Sequence, residues 1–437
     1  MAHVPIERHR LSNGLRVQLS QDNATPIVAV NLWYDVGSRH EQPGRTGFAH
    51  LFEHMMFQGS KHVDKNEHHT LIQSVGGSLN ASTWLDRTNY FETLPSHELE
   101  LALWLEAERM ANLLPAMTQE KLDNQRDVVK NERRWSVDNQ PYGTWDEKLG
   151  ELLFPTWHPY HHSTIGSMED LSAASLEDVE AFFASHYCPN NAVLTVAGDF
   201  ETADVLEMIE RHFGPIPANP AVPTPPEVTL DPFLLGSEVR EALPDRVPVP
   251  RVYLAYRIPP FGQAGWDAME VTADLLSAGR ASRLYATLVR ERQVAQDVAA
   301  FPFPIVGGAA FLTLWATARP GVEAADLERA LRGEVARLAA DGPRDDELTR
   351  VRNLHAAGTA ASLERLADRA DRLSMYTCLF DDPGRINEED ARYEAVDAAS
   401  LRAEMGSVIR DDNLVVLTYL PMAGDPGAAA EPSEVSS

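Results

Sequence analysis

Between Gly214 and Pro232, prolines recur at positions 215, 217, 220, 223, 225, 226 and 232. Proline fixes φ and carries no N–H, so a run this dense excludes both continuous helix and central strand and makes the segment a linker. The 437-residue chain is thereby divided into residues 1–214, a linker over 215–232, and residues 233–422. Residues 423–437 lack apolar periodicity and read as a mobile tail.

The two long segments echo one another. The first closes with Ser175-Leu176, a helix-like stretch and then Asn191-Ala-Val-Leu-Thr-Val196. The second closes with Ser400-Leu401, a helix-like stretch and then Asn413-Leu-Val-Val-Leu-Thr418. Each also opens with a strand, Ile27 to Tyr34 and Val252 to Arg257, followed by a helical segment. Strands such as Asn89 to Leu94 alternate with amphipathic helices such as Leu99 to Ala111, which is an α+β pattern. The expected architecture is two homologous halves, each an antiparallel-rich β-sheet packed with α-helices and joined by the proline-rich linker. Two unrelated α+β domains with similar endings are the alternative.

Charge and cysteine content narrow the chemistry. With 38 Lys and Arg against 65 Asp and Glu, the formal charge is −27, opposite to the basic footprint of a nucleic-acid binder. Two cysteines, Cys188 and Cys378, make neither a disulfide framework nor a cysteine metal cluster, so a metal must rely on His and carboxylates. Glu7, Arg8 and Arg10 fall where a secretory signal needs an apolar core. The uncharged run Phe301 to Ala318 is broken by Pro302, Pro304, Gly307 and Gly308, so it reads as a turn followed by the strand Ala309 to Ala318 and not as a membrane span. A cytoplasmic protein is expected.

The most informative stretch is Gly44 to Gly59, GRTGFAHLFEHMMFQG. Thr46 can cap a helix and Gly59 can end it, which puts His50 and His54 one turn apart on one face. Two imidazoles so placed can share an ion. Glu53 lies beside them and can take a proton from water that the ion has acidified. A catalytic zinc wants three protein ligands, and Glu132, 78 residues beyond His54 in the helical segment Thr118 to Trp135, is the candidate third. A solvated helix carboxylate is the other reading of Glu132 taken alone. Gln125 lies two turns before it on nearly the same face, where its amide can support a ligand. The clusters His68-His69 and His158, His161 and His162 lack a carboxylate at ligand spacing and read as surface or loop residues. Phe52, Met55, Met56 and Phe57 read as core and pocket wall.

HLFEH fits the inverted zinc motif H-x-x-E-H. Its setting, GFAHLFEHMMFQGS, then GGSLNASTWLDRTNYFETL, then QRDVVKNERR, resembles the pitrilysin family of metallopeptidases, in its small bacterial and mitochondrial-processing-peptidase-like branch. The resemblance implies one zinc per chain, held by His50, His54 and Glu132, with Glu53 as general base. Many relatives carry Glu where this chain has Gln125. It also makes Gly77, Ser78, Leu79, Asn80, Ala81, Ser82 and Thr83 the edge strand on which a substrate peptide is laid, a grip through backbone pairing that suits any extended peptide. Asn80 and Thr83 read equally well as routine turn and strand residues.

In this family the zinc-free half supplies an arginine and a tyrosine seven residues apart, which stabilise the oxyanion. Here Val289 and Gln296 occupy those positions, and shifting to Arg290 puts Asp297 in place of the tyrosine. The expected function is therefore a zinc endopeptidase acting on unfolded or short peptides in a chamber closed by two subunits, its partner a related zinc-free chain that carries the Arg/Tyr pair. No nucleic acid or membrane partner is expected. The alternative is a non-catalytic structural or assembly subunit that retains the fold.

Overall fold

The computed structural model describes residues 3–224, 228–230 and 233–422. The expected tail, residues 423–437, and linker residues 225–227 and 231–232 lie outside the described residues. The other linker residues form neither helix nor strand. In chain order the strands are β1 (Glu7–Arg10), β2 (Arg16–Gln21), β3 (Ile27–Tyr34), β4 (Ser78–Thr83), β5 (Thr88–Pro95), β6 (Ala192–Gly198), β7 (Val239–Asp245), β8 (Arg251–Ile258), β9 (Ala295–Phe303), β10 (Ala310–Ala318) and β11 (Leu414–Pro421). The helices include α1 (Phe48–Met55), α2 (Leu99–Asn112), α3 (Gln119–Arg133), α4 (Trp145–Leu153), α5 (Leu176–His186), α6 (Leu366–Phe380) and α7 (Ala398–Val408).

The first six strands form one sheet in the order β1-β2-β6-β3-β5-β4, and the rest form a second in the order β7-β11-β8-β10-β9. Pairing is antiparallel except for β2 with β6 and β7 with β11. The repeat seen in the sequence is thus real in space, because β2-β6-β3 and β7-β11-β8 share order and sense. A buried asparagine ends each connecting turn in the same way. Asn191 Nδ2 donates to His186 O at the end of α5, and Asn413 Nδ2 donates to Val408 O at the end of α7. The chain consists of two homologous α+β halves.

The compact units do not follow the linear division at 214 and 233. Among the described residues, one comprises those within 3–134, 156–224 and 353–392; the other comprises those within 135–155, 228–352 and 393–422. The reason lies in the central strands. All of β3 except Ile27 is buried, which requires cover on both faces of the sheet. Val28, Val30, Leu32 and Tyr34 enter the main core. On the opposite face Ala29 and Trp33 pack against Leu366, Ala370 and Cys378 of α6. Asp371 on that helix accepts from Trp33 Nε1 at 2.8 Å and Asn89 Nδ2 at 2.9 Å. The second sheet is covered likewise by α4, whose Trp145 stacks on Tyr253 with ring centroids 5.5 Å apart. Each sheet therefore borrows a helix from the other half of the sequence, and no helix among the described residues is long and apolar enough to cross a membrane.

Within the first unit, the rings of His40 and His186 lie 5.4 Å apart. Burial first, then Arg39 and His186, push His40 down to about 3, and burial pushes His186 down to about 4. The unfolded chain binds these protons near pH 6.5 while the folded chain refuses them, so stability is full above about pH 6.5 and falls as pH drops through the window toward 4 and 3. Urea titrations should show this decline, and His186→Phe should flatten it. An unchanged pH slope in the variant would show that His186 is not one of the groups responsible.

Candidate active site

Helix α1 is held at its N-terminus by a buried carboxylate. Thr46 does not cap it; its amide and hydroxyl both bond Asp170. Instead Glu41 accepts from Gly47 N at 2.9 Å and Ala49 N at 2.7 Å, and His162 Nε2 lies 3.0 Å from it. Gly47 has φ +85°, and a Cβ there would sit 2.6 Å from Ile165 O, so only glycine fits the entry to the helix. The helix ends at Met55, before the expected stop at Gly59. Leu51, Phe52 and Met55 are buried in the core. This leaves His50, Glu53 and His54 on the partly exposed side.

Helix α3 begins where the sequence predicts, with Thr118 Oγ1 accepting from Lys121 N. Packed beside α1, it brings Glu132 to the two imidazoles. His54 Nε2 lies 3.2 Å from Glu132 Oε2, and His50 Nε2 lies 3.7 Å from Glu132 Oε1. One donor atom from each of the three side chains falls within 4.8 Å of the others. Donors about 2.0–2.1 Å from a tetrahedral ion stand about 3.4 Å apart, so the set fits zinc in both chemistry and spacing. Burial first, then His54, push His50 down to about 4, favouring the neutral imidazole that has a lone pair to give. Glu132 is held below the usual carboxylate range, chiefly by its bond from His54. Burial raises Glu53, and Thr83 Oγ1 donates to its Oε2 at 2.6 Å.

The N-terminal part of the chain, residues 16–150, matches the family described as Insulinase (Peptidase family M16), and residues 173–354 match the one described as Peptidase M16 inactive domain. Zinc protease PqqE of Helicobacter pylori is 30 % identical over 369 residues, covering 84 % of this chain and 82 % of that protein. The chain belongs to peptidase family M16. A second relative, the probable mitochondrial-processing peptidase subunit beta of Arabidopsis thaliana, is 23 % identical over 95 % of this chain and 78 % of its own length. The crystal structure of a protease from Helicobacter pylori superposes on this M16 chain with a TM-score of 0.90, at 26 % identity, covering 96 % of this chain and all of that one.

The remaining residues singled out in the sequence fall as follows. Gln125 is buried, but its amide donates to Asn124 Oδ1 at 2.9 Å and not to the three donors. Ser78 to Thr83 form β4, the edge of the first sheet, with Gly77 between the turn at Val75 and Gly76 and the strand. Val289 is buried in the helical turn Tyr285–Glu291, and Gln296 Nε2 donates to Ala318 O at 2.8 Å. Arg290 pairs with its neighbour Glu291, and Asp297 accepts from Thr317 Oγ1 at 3.0 Å.

Sequence reasoning missed a second polar group, His68, Glu92 and Glu106, which is fully buried. Arg109 pairs with Glu106 through two nitrogens and lies over the Tyr90 ring at 4.1 Å. The guanidinium already supplies the cation that two buried carboxylates demand, and burial pushes Glu106 up to about 8 and His68 down to about 3. The reading of His68 as a surface or loop residue without a carboxylate partner is corrected, since it is buried 3.2 Å from Glu92 Oε1; a carboxylate 24 residues away has no helical spacing to reveal it, and the Glu and Arg three apart on α2 have a spacing that usually marks an exposed helix pair.

Proposed function

We propose that this chain is a zinc-dependent endopeptidase of the small bacterial and mitochondrial-processing-peptidase-like branch, hydrolysing unfolded or short peptides in a chamber that it closes with a related zinc-free subunit. The convergence of His50, His54 and Glu132 around one point, with Glu53 on the same helix, carries the reading. The names of relatives, zinc protease and peptidase subunit beta, support it. His50, His54 and Glu132 would hold the zinc, which when bound supplies Lewis acidity toward water and the peptide carbonyl.

Glu53 accepts the proton of the attacking water and hands it to the leaving amine. Burial serves this role, since a carboxyl lifted above its ordinary range is a stronger base than an exposed one. The edge strand β4 offers its outer side as a track to which an extended peptide adds as a further strand, once the Ala81 N–H is released from Asn80 Oδ1 at 2.9 Å. The partner supplies the arginine and tyrosine in whose places this chain has Val289 and Gln296.

Elemental analysis of the purified chain should find about one zinc per chain. His50→Ala, His54→Ala and Glu132→Ala should each lower that occupancy, and chelation should remove peptidase activity that added zinc restores. Full zinc content in all three variants would place the metal elsewhere and end this reading.

A further inference from the structure

We propose that Thr83 is a positioning residue for Glu53, and that through it the peptide-binding edge and the base are built as one unit; the proposal rests on the peptidase reading above. Side chains alternate along a strand, and in β4 Leu79 and Ala81 pack against the core of the first unit. Thr83 is the next residue on that face. Where the row would call for a third apolar side chain, it places a hydroxyl 2.6 Å from Glu53 Oε2.

A hydroxyl has one proton to donate, and this one goes to Oε2. The neighbouring Thr88 hydroxyl, 3.4 Å from that of Thr83, sends its own proton to Val36 O at 2.8 Å. The bond therefore fixes the rotation of the carboxylate and assigns its two oxygens different tasks. Oε2 is anchored, and Oε1 is the atom that receives the proton from water.

The anchor is itself tied into the hairpin. Thr83 is paired with Thr88 across the β4–β5 hairpin, and Trp84 N donates to Arg87 O at 2.8 Å. Arg87 Nη1 donates to Ser82 O at 2.8 Å and to Asn89 Oδ1 at 3.0 Å, with the guanidinium 5.1 Å from the centre of the Trp33 ring. Holding the end of the strand in this way fixes the Thr83 hydroxyl relative to α1. A peptide added to β4 is thus presented in a set register to the same strand that orients the base, and misplacement of a reacting group by about 1 Å costs on the order of 10²-fold in rate.

The test compares Thr83→Val, which keeps the branched shape and loses the hydroxyl, with Thr83→Ser, which keeps the hydroxyl. Both are assayed with Glu53→Gln and the double variant in whichever assembly cleaves, this chain alone or mixed with its related subunit. Thr83→Val should lower kcat roughly 10- to 100-fold with KM little changed, and Thr83→Ser should restore most of it. Zinc content and thermal midpoint should match the parent in both. The double variant should be no slower than Glu53→Gln, because Thr83 acts only through that carboxylate. A parental kcat in Thr83→Val, a rise in KM with kcat intact, or loss of zinc would each overturn the proposal. If the parent cleaves no faster than Glu53→Gln, the peptidase reading fails and takes this one with it. A difference between those two, with none between the parent and Thr83→Val, sinks only the role of Thr83.

Discussion

Glu53→Gln is expected to abolish peptide hydrolysis while leaving the zinc content of the chain unchanged. The substitution keeps the shape and the acceptor for Thr83 Oγ1, which now bonds Glu53 Oε2, and removes only the ability to take a proton. Loss of a positioned general base typically costs on the order of 10²- to 10⁴-fold. Zinc should stay because the converging donors are His50, His54 and Glu132, and Glu53 is outside that set. Elemental analysis beside a single-turnover cleavage assay separates the two effects. Should Glu53→Gln lose zinc as completely as His50→Ala, the carboxylate is a ligand and the assignment of base and ligands is wrong.

What the sequence shows about this site is what local geometry controls. One helical turn places His50 and His54 together whatever the rest of the chain does, and their spacing is enough to read it. Glu132 is different. Its 78-residue separation from His54 has no geometric content until α3 packs on α1, so the residues alone left Glu132 a candidate beside a solvated carboxylate, and the resemblance to a family favoured it. The cap of α1 shows the same limit: a threonine next to the helix is the expected cap, yet the helix amides are taken by Glu41, a residue type that usually stays exposed. Arg109 and Glu106 are buried for a similar reason, since each satisfies the other only once the sheet covers them. The interlaced units were illegible too. The apolar run of β3 shows that both faces are covered, and nothing in it says that α6, more than 300 residues later, provides the cover.

The second large effect is expected from assembly. Alone, this chain should hydrolyse peptides very slowly, and a related zinc-free subunit carrying the arginine and tyrosine should restore the rate. On the proposed reading, His50, Glu53, His54 and Glu132 make up the water-activating side. The other requirement of peptide hydrolysis is a donor to the oxygen on which charge develops, and each missing donor costs on the order of 10²- to 10³-fold. The positions read from the resemblance do not present an arginine and tyrosine pair. Val289 is apolar and buried, and the Gln296 amide is committed to Ala318 O. Arg290 is paired with Glu291, and Asp297 is an acceptor. Two donors missing together correspond to a deficit approaching the product of two such factors, provided they act independently. A partner that contributes both only when closed around substrate would couple assembly to turnover. Mixing the chains and then replacing the partner's arginine or tyrosine decides the matter. Full activity from this chain alone would refute the divided site, as would mixtures that lose nothing when either partner side chain is removed.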